Sequence, residues 1–465
     1  MSNQSIAMDE FPHEIFKAYD IRGIVDKTLT TDIARMIGQA FGTEALQKGV
    51  ESVVVARDGR LSGPSLIAAL SEGLRASGID VIDIGMVPTP VLYFATYHLE
   101  TGTGIMITGS HNPPEYNGLK MVMAGETLSG DRIQDLKQRI LSSDYASGNG
   151  GQSTVDVKPA YMDRIASEGD FSRQIHAVVD CGNGVASELA EPLLSRLGCK
   201  VTPLYCETDG KFPNHHPDPS QPDTLTDLIA KIAETGADVG LAFDGDGDRL
   251  GLVTPHGKII WPDRQLILFA LDIIKKEPGA HIIYDVKCSR TVPAMISQAG
   301  GKPEMWKTGH SFIKARLRET NASLAGEMSG HVFFNDHWYG FDDGLYAAVR
   351  MLHILAGDDR DASAIFDSLP DTVNTPELGL KMVEGEHYQL IDELVANAEF
   401  PDAEVSKIDG LRVDFDNGFG LVRASNTTPT VVLRFEGDDE AALDMIQERF
   451  RDLFNATRPG LDLPF

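Results

Sequence analysis

Cysteine, long apolar runs and positive charge are all scarce in this sequence of 465 residues. The four cysteines form no C-x-x-C pair, which argues against a disulfide framework or a zinc knuckle and predicts buried reduced thiols. They are Cys181, Cys199, Cys206 and Cys288. No run approaches the ~18 apolar residues of a membrane-spanning helix, and residues 1–7 lack the basic start and apolar segment of a signal peptide. We therefore expect a cytoplasmic protein with no membrane partner.

Negative charge dominates the composition. Lys and Arg number 41 against 69 for Asp and Glu, which gives a formal net charge of −28. Such a surface repels phosphate polyanions, so nucleic acid is not an expected partner. A small anionic substrate would require a pocket in which basic residues locally reverse this sign. The length and the 42% of hydrophobic residues allow more than one globular core.

A similar unit occurs three times along the chain. In each copy an apolar strand ends in a polar loop, and a helical pattern that closes near a glycine precedes a second strand. The first strands are predicted at residues 52–56, 176–180 and 281–286, and the helices close near Gly78, Gly198 and Gly300. Three similar α/β domains in series explain the pattern, although chance likeness among parallel-sheet segments would look the same.

The chain after residue 371 has a different pattern. An amphipathic helix is predicted near residues 388–398, strands at 411–415 and 430–435, and a closing helix in which Leu443 and Ile446 begin an apolar face. This favours a small α+β domain. The predicted domains are therefore 11–155, 156–259 and 260–370, each α/β with a mixed sheet, and 371–465, all packed around a central cleft.

The loop T-G-S-H-N-P-P at residues 108–114 directly follows the apolar run 104–107. A serine at the carboxyl end of a buried strand is held on a turn where open α/β sheets bind ligands. This placement suits Ser110 as a nucleophile or phosphate carrier, and the absence of G-x-S-x-G disfavours a serine esterase. A turn in which Ser110 and Asn112 only satisfy backbone groups is the alternative.

The loop F-D-G-D-G-D-R at residues 243–249 follows another apolar run. Its carboxylates at alternate positions can converge on one hard cation, and they would repel one another strongly without it. An EF-hand does not fit, because Arg249 and Pro255 stand where that motif needs glycine and glutamate. Magnesium is the predicted ion, since it accepts few protein ligands. A solvated acidic turn is the alternative.

Two further loops carry weaker signals. The loop A-G-E-M-S-G-H at residues 325–331 places short polar side chains between glycines, which suits hydrogen bonds to vicinal hydroxyls. The loop R-A-S-N-T-T-P at residues 423–429 combines a guanidinium, hydroxyls and backbone N–H groups, which suits a phosphate. An ordinary turn would explain either loop alone. The four loops together indicate phosphoryl transfer on a phosphosugar.

These motifs, with K-A-Y-D-I-R-G at residues 17–23, resemble those of the α-D-phosphohexomutase family, most closely its bacterial phosphomannomutase/phosphoglucomutase branch. They occur in the family's order, and the resemblance covers the chain after Phe11. It implies three α/β domains of shared topology and a fourth, mobile, helix-grip-like domain around one cleft. Met328 favours the branch that acts on mannose and glucose phosphates, because glutamine is typical at this position in phosphoglucosamine mutases.

The resemblance also implies roles for individual residues. The implied catalytic residues are Ser110, Lys120, His310, Arg249 and His111, with Lys120 and His310 as candidate general acids or bases. The implied Mg²⁺ ligands are Ser110, which would be phosphorylated, and Asp244, Asp246 and Asp248. The implied substrate-binding residues are Tyr19, Arg22, Lys287, Glu327, Ser329, His331, Arg423, Ser425, Asn426, Thr427 and Thr428.

The implied reaction interconverts mannose 1-phosphate and mannose 6-phosphate, and likewise the glucose phosphates. Phosphorylated Ser110 donates to the free hydroxyl of the monophosphate, and the 1,6-bisphosphosugar then turns end over end and rephosphorylates Ser110. Glucose 1,6-bisphosphate or mannose 1,6-bisphosphate is the expected activator, and a monomer is expected. The alternatives are a phosphoglucosamine mutase, a Mg²⁺-dependent sugar phosphatase and a non-catalytic sugar- or nucleotide-binding protein.

Overall fold

Residues 11–465 are described by a computed structural model and form two units. Unit 1 contains the described residues up to Pro262 together with Ser329–Ala364, and unit 2 contains Asp263–Met328 and Ile365–Phe465. Residues 1–7, on which the expectation of no signal peptide rests, lie outside the described residues. Within residues 11–465, no helix combines the length and the apolar content needed to cross a membrane.

The first sheet of unit 1 has seven strands. They are β1 (Ile21–Ile24), β2 (Ser52–Arg57), β3 (Asp80–Met86), β4 (Gly104–Ile107), β5 (Tyr116–Met123), β6 (Glu126–Thr127) and β7 (Gln152–Thr154). Their order is β1-β5-β4-β2-β3-β7, with β6 beside β5. Strands β4, β2, β3 and β7 are parallel, whereas β5 is antiparallel to both β4 and β1. The sheet is therefore mixed, as predicted.

Two helices beside this sheet approach each other closely. The helices of this part of the chain are α1 (Thr31–Gln47), α2 (Gly63–Ser77), α3 (Thr89–His98) and α4 (Asp131–Ser142), after a 3-10 helix at His13–Ile15. A Cβ atom on Gly38 of α1 would lie 2.2 Å from the carbonyl oxygen of Leu70, and one on Gly73 of α2 would lie 2.0 Å from that of Arg35. Glycine at both positions is therefore what allows the two backbones to approach.

The second sheet of unit 1 has five strands in the order β12-β11-β10-β8-β9. They are β8 (His176–Asp180), β9 (Lys200–Leu204), β10 (Val239–Phe243), β11 (Leu250–Val253) and β12 (Ile259–Ile260). Strand β8 is parallel to β9 and β10, and β11 turns back antiparallel to β10. The accompanying helices are α5 (Lys158–Ala166), α6 (Ala190–Arg196) and α7 (Thr226–Thr235), with 3-10 helices at Val185–Glu188 and Pro222–Leu225.

The next part of the chain enters unit 2 along α8 (Pro262–Lys276). Strand β13 (His281–Asp285) is parallel to β14 (Lys302–Trp306) and to β15 (Leu324–Gly326). Helices α9 (Thr291–Gln298) and α10 (His310–Thr320) lie between these strands in the sequence. Strand β16 (Val332–Phe334) and helix α11 (Gly344–Ala356) belong to unit 1, and α12 (Ala362–Asp367) leads back to unit 2.

The carboxyl-terminal part of unit 2 is an antiparallel sheet with two helices. Its strands are β17 (Val373–Asn374), β18 (Leu378–Lys381), β19 (Glu404–Ser406), β20 (Leu411–Phe415), β21 (Gly418–Ala424) and β22 (Thr430–Gly437). Helices α13 (Glu386–Asn397) and α14 (Glu440–Thr457) accompany it. Their apolar faces are buried, with Leu390 and Phe450 at 0% exposure. The predicted α+β character of this part is confirmed.

The predicted pattern of strand, helix and parallel strand, repeated three times, is also confirmed. Strands β2, β8 and β13 begin at the predicted residues, and each is parallel to the strand that follows the next helix. Helix α2 ends at Ser77, and Gly78 then adopts a left-handed φ of 106°. Glycine has no Cβ penalty in this conformation, which is why it marked the helix end in the sequence.

The start of α14 provides a local test of helix capping. The side chain of Asp439 accepts a hydrogen bond from the backbone N–H of Ala442 at 2.8 Å. Replacing Asp439 with alanine is expected to lower the free energy of opening of the first turn by about 1 kcal/mol. Amide hydrogen exchange of α14 measures this change. Asp444→Ala, an exposed change in the same helix, is the matched control and should leave exchange of the first turn unchanged.

Candidate functional site

Ser110 lies in unit 1, in the loop between β4 and β5. The residue is 1% exposed and has a left-handed φ of 49°, a conformation that non-glycine residues seldom adopt. Its Oγ lies 3.2 Å from Oδ2 of Asp244 and 3.3 Å from Nδ1 of His111. The backbone N–H of Ser110 donates to Oγ1 of Thr108 at 2.8 Å. The loop therefore holds the serine hydroxyl beside a carboxylate and an imidazole.

A buried arginine holds this loop in place. The guanidinium of Arg60 donates to the backbone carbonyl oxygens of Ser110, Asn112, Pro113 and Tyr116 at 2.5 to 3.0 Å. Asp58 Oδ2 lies 3.2 Å from Arg60 Nε and accepts the backbone N–H of Gly109 at 3.1 Å. Sequence reasoning missed Asp58 and Arg60. The polar loop that directly follows the buried strand β2 is the signal that could have found them.

The three predicted metal-binding aspartates lie in the hairpin loop between β10 and β11. Asp244, Asp246 and Asp248 are each 0% exposed, and one oxygen from each lies within 4.8 Å of the others. Oδ1 of Asp246 and Oδ1 of Asp248 are buried and accept no hydrogen bond from the described part of the chain. Buried carboxylate oxygens that accept no hydrogen bond are costly, and a hard divalent cation would satisfy them. The donor set therefore fits Mg²⁺.

Gly245 allows the serine loop and the metal loop to meet. A Cβ atom on Gly245 would lie 2.4 Å from the backbone carbonyl oxygen of Ser110. This separation is far below van der Waals contact. The clashing atom belongs to the backbone of a loop that Arg60 holds in place, so it cannot easily move away. Gly245 is therefore required for the observed position of Ser110 relative to Asp244.

Gly245→Ala tests this close approach. If Ser110 carries a phosphoryl group, as the family resemblance implies, the added methyl group is expected to displace Ser110 and to slow phosphorylation of its hydroxyl by about 10²-fold, the effect of a misplacement near 1 Å. Quenched-flow measurement of phosphate incorporation gives this rate. Gly357→Ala is the matched control, because the nearest atom to its Cβ, the carbonyl oxygen of His353, would lie 3.3 Å away. Equal rates in both variants would contradict the argument.

Lys120 of β5 supplies positive charge to the acidic loop. Its Nζ lies 2.7 Å from Oδ2 of Asp246 and also hydrogen-bonds to Asp248. Burial alone would lower the pKa of Lys120, but these two carboxylates raise it well above its ordinary value. Burial and the charges of Asp248 and Asp246 raise the pKa of Asp244. Burial opposes ionisation of Asp246 too, but Lys120 holds its pKa below the usual range.

His331 lies between an arginine and a buried carboxylate. Arg249 Nε donates to His331 Nε2 at 3.1 Å. His331 Nδ1 lies 2.9 Å from Oδ2 of Asp342. Asp342 is 0% exposed and was not predicted. With Asp248 and His331 it forms a second group whose ligand atoms lie within 4.8 Å of one another.

Two more predicted residues lie at the serine loop. Arg22 of β1 donates to Oδ1 of Asn112 at 2.8 Å and to Oδ2 of Asp20 at 2.6 Å. Burial, assisted by the charges of Arg249 and Arg22, lowers the pKa of His111 well below its ordinary value. This environment favours the neutral form of the imidazole beside Ser110. Tyr19, three residues before Arg22, is half-buried.

Of the predicted residues of the third loop, Glu327 lies in unit 2, whereas Ser329 and His331 lie in unit 1. Glu327 follows β15, is 2% exposed and accepts the backbone N–H of Gly309 at 2.5 Å. This contact places its carboxylate at the amino terminus of α10, where a negative charge is favourable and where His310 is the first helical residue. Glu327 and His310, far apart in the sequence, are thus brought together.

Lys287 and Glu377 form a charged pair in unit 2. Nζ of Lys287 lies 3.0 Å from Oε2 of Glu377. Burial alone would lower the pKa of Lys287, but Glu377 and Asp285 raise it. The charge of Lys287 in turn lowers the pKa of Glu377 below its usual range. Arg434 fixes this loop further, because its guanidinium donates to the carbonyl oxygen of Lys287 at 2.6 Å.

The fourth predicted loop is the hairpin turn between β21 and β22. Arg423 lies at the end of β21, and its Nε donates to Oδ2 of Asp409 at 2.9 Å. Oγ of Ser425 accepts the backbone N–H groups of Thr427 and Thr428, both at 3.3 Å. The turn that the sequence left as an alternative is thus present. Of the donors predicted for a phosphate, the N–H groups of Thr427 and Thr428 thus bind Ser425, and the guanidinium of Arg423 binds Asp409.

The predicted site residues divide between the two units. Those in unit 1 are Tyr19, Arg22, Ser110, His111, Lys120, Asp244, Asp246, Asp248, Arg249, Ser329 and His331. Those in unit 2 are Lys287, His310, Glu327, Arg423, Ser425, Asn426, Thr427 and Thr428. Hydrogen bonds link the hydroxyl of Ser110 and the ammonium of Lys120 to the acidic loop within unit 1. A nucleophile, a cation site and positive charge in one place are what phosphoryl transfer requires.

Comparison with family models gives four matches in order along the chain. All four carry the description phosphoglucomutase/phosphomannomutase. They are α/β/α domain I at residues 13–147, domain II at 159–257, domain III at 261–373 and the C-terminal domain at 381–453.

Curated relatives and a solved structure are similar over nearly the whole chain. A phosphomannomutase/phosphoglucomutase from Pseudomonas aeruginosa is 53% identical over 454 residues, which are 98% of each chain. A phosphoglucomutase from Neisseria gonorrhoeae is 52% identical over 96% of this chain and 97% of the relative. The crystal structure of a phosphoglucomutase/phosphomannomutase family protein from Burkholderia thailandensis has a TM-score of 0.93 at 55% identity, and the match covers 97% of this chain and 99% of that one.

Proposed function

Since the chain belongs to the phosphoglucomutase/phosphomannomutase family, we propose that it interconverts the 1-phosphates and 6-phosphates of mannose and of glucose. The reaction would proceed through phosphorylated Ser110 and a 1,6-bisphosphosugar. One observation carries the proposal: the Ser110 hydroxyl lies 3.2 Å from Asp244, within a buried cluster of three carboxylates. Names of relatives at 50% identity or more include both activities, which supports the use of both sugars.

Asp244, Asp246 and Asp248 would hold Mg²⁺ together with an oxygen of phosphorylated Ser110. When bound, the ion stabilises the negative charge of the phosphoryl group during transfer. Arg249, 3.8 Å from Asp244, adds positive charge at the same loop. Both the overall negative charge of the protein and that of the substrate make such local positive charge necessary.

The two half-reactions use the same serine. A substrate hydroxyl attacks the phosphorus atom, the bond between phosphorus and Oγ of Ser110 breaks, and the substrate hydroxyl loses its proton. After the bisphosphosugar has turned, Oγ attacks its other phosphate and the monophosphate product leaves. Lys120 and His310 are the proposed general acids or bases for these proton transfers.

The remaining predicted residues would bind the substrate. Glu327, Ser329 and His331 would contact the sugar, with Tyr19, Arg22 and Lys287 as further contacts. The non-reacting phosphate would be bound by Arg423, Ser425, Asn426, Thr427 and Thr428. That residues of both units serve one substrate is part of the proposal. So are the domain boundaries 11–155, 156–259, 260–370 and 371–465, the bisphosphate activator, the monomeric state and the cytoplasmic location.

Steady-state kinetics test this function. The purified protein, Mg²⁺ and glucose 1,6-bisphosphate should convert both mannose 1-phosphate and glucose 1-phosphate to their 6-phosphates. A higher kcat/KM for glucosamine 6-phosphate would instead identify a phosphoglucosamine mutase. Release of inorganic phosphate from glucose 1-phosphate would identify a phosphatase. If intact-mass measurement shows that Ser110 acquires no phosphoryl group, the remaining alternative is a non-catalytic binding protein.

A further inference from the structure

Two thiols in unit 1 take no part in the proposed phosphoryl transfer. Cys181 directly follows β8, and Cys206 lies two residues beyond the end of β9. Because β8 and β9 are parallel neighbours, their carboxyl ends lie side by side. The Sγ atoms of the two cysteines are 3.3 Å apart. No disulfide joins them in the structure, and the expected burial holds for Cys181 but not for Cys206, which is half-buried.

Backbone hydrogen bonds fix the position of this pair. The N–H of Cys181 donates to the carbonyl oxygen of Leu204 at 3.2 Å, and that of Asn183 donates to the carbonyl oxygen of Tyr205 at 2.9 Å. These bonds tie the turn after β8 to the turn after β9. Closing a disulfide of about 2.05 Å would need an approach of the two sulfur atoms by about 1.3 Å. Side-chain rotation can supply this without separating the strands.

The two thiols differ in reactivity. Cys206 is half-buried and can be reached from solvent, whereas Cys181 is 0% exposed. The interaction between the two thiols lowers the pKa of Cys206 and raises that of Cys181, so Cys206 is the one that more readily becomes a nucleophilic thiolate. Burial raises the pKa of Cys199 to about 11 and that of Cys288 well above its ordinary value. The pair therefore combines an accessible attacking thiol with an adjacent thiol that can resolve it.

We propose that Cys181 and Cys206 form a reversible dithiol–disulfide site that hydrogen peroxide oxidises. The Cys206 thiolate attacks one peroxide oxygen, an S–O bond forms as the O–O bond breaks, and the released hydroxide takes up a proton to become water. The Cys181 sulfur then attacks the Cys206 sulfenic acid, the S–S bond forms, and a second water leaves. Two thiols thus supply the two electrons that reduce one peroxide. This site is independent of the proposed function.

Thiol titration of the full-length protein tests the proposal. After exposure to hydrogen peroxide and quenching, the denatured protein should have lost two of its four thiols, and dithiothreitol should restore them. Peptide mapping without reductant should show a peptide containing Cys181 joined to one containing Cys206. Disulfide-linked dimers, a link to another cysteine, or sulfinic acid on Cys206 with Cys181 still free would overturn the proposal.

Two single variants make the test specific. The Cys206→Ser variant has three thiols, and it should keep all three after exposure to hydrogen peroxide. Cys199→Ser is the matched control, because this cysteine lies at the start of the same β9 segment and contacts the carbonyl oxygen of Ile175 instead, at 3.2 Å. It should still lose two thiols. An equal loss in Cys206→Ser would overturn the proposal. If that variant does not fold, Cys181→Ala and the peptide map of the unaltered protein decide the question.

Discussion

Ser110→Ala is expected to abolish the covalent phosphate on the protein and to lower mutase kcat by about 10⁴-fold or more, the scale of losing a nucleophile. The reason is geometric. Ser110 Oγ is the hydroxyl that lies beside the acidic loop, 3.2 Å from Asp244 Oδ2. Intact-mass measurement after incubation with glucose 1,6-bisphosphate gives the phosphate content, and a coupled assay gives kcat.

An exposed serine provides the control for this change. Ser142→Ala removes a hydroxyl at the end of α4 that donates to the carbonyl oxygen of Arg139 at 3.1 Å. This variant should keep both the covalent phosphate and the turnover. Near-normal mutase turnover of Ser110→Ala would show that phosphate transfer does not pass through this residue.

The second large effect is expected from Asp244→Asn. Oδ1 of Asp244 accepts the backbone N–H groups of Asp248 and Arg249 at 3.1 and 3.2 Å, and an amide oxygen can keep both bonds. The change therefore removes charge while it preserves shape. Loss of one charged ligand is expected to lower kcat by about 10³-fold, since a bound metal contributes several kcal/mol to transition-state stabilisation.

The same variant should be more stable than the unaltered protein when Mg²⁺ is absent. Burial and two neighbouring carboxylates raise the pKa of Asp244, so its ionised form is disfavoured in the folded state. A carboxyl group with a raised pKa contributes stability at low pH and loses that contribution as the pH rises. The melting temperature of Asp244→Asn should therefore exceed that of the unaltered protein in EDTA at neutral pH, by a margin that widens as the pH rises.

Adding Mg²⁺ should reverse the order of the two melting temperatures, because the proposed ion site keeps all three carboxylates only in the unaltered protein. Asp223→Asn, an exposed change, is the control and should respond to Mg²⁺ as the unaltered protein does. A variant that melts lower than the unaltered protein in EDTA would show that the carboxylate of Asp244 is stabilising as it stands. The electrostatic account of the loop would then be wrong.

The strands that carry the site could be predicted because their apolar runs and polar ends are local signals. Strand β10 and the aspartates after it were found this way, since period and composition are visible in a short window. The return of β11 directly after the loop was not predicted. Its four residues, Leu250–Val253, form a short apolar run that periodicity alone cannot assign to strand or helix.

The residues that hold the site in place were harder to find. Arg60 reaches carbonyl oxygens about fifty positions further along the chain, and Asp342 contacts His331 from beyond β16. The place of Arg60 just after the buried strand β2 marks its loop as a candidate, but its partners depend on which loops the fold brings together. For Asp342 the local sequence gives no comparable signal. Lys120 was predicted through the family resemblance and not from its local sequence, and the structure places its ammonium group against Asp246 and Asp248.

Transfer of label from the protein tests the central claim most directly. The enzyme is first labelled on Ser110 with radioactive glucose 1,6-bisphosphate, freed of ligand, and then mixed with unlabelled mannose 1-phosphate in a quenched-flow instrument. The label is expected to leave the protein at least as fast as kcat and to appear in mannose bisphosphate and then in mannose 6-phosphate. Label that stays on the serine through many turnovers, or that appears as inorganic phosphate, would contradict it.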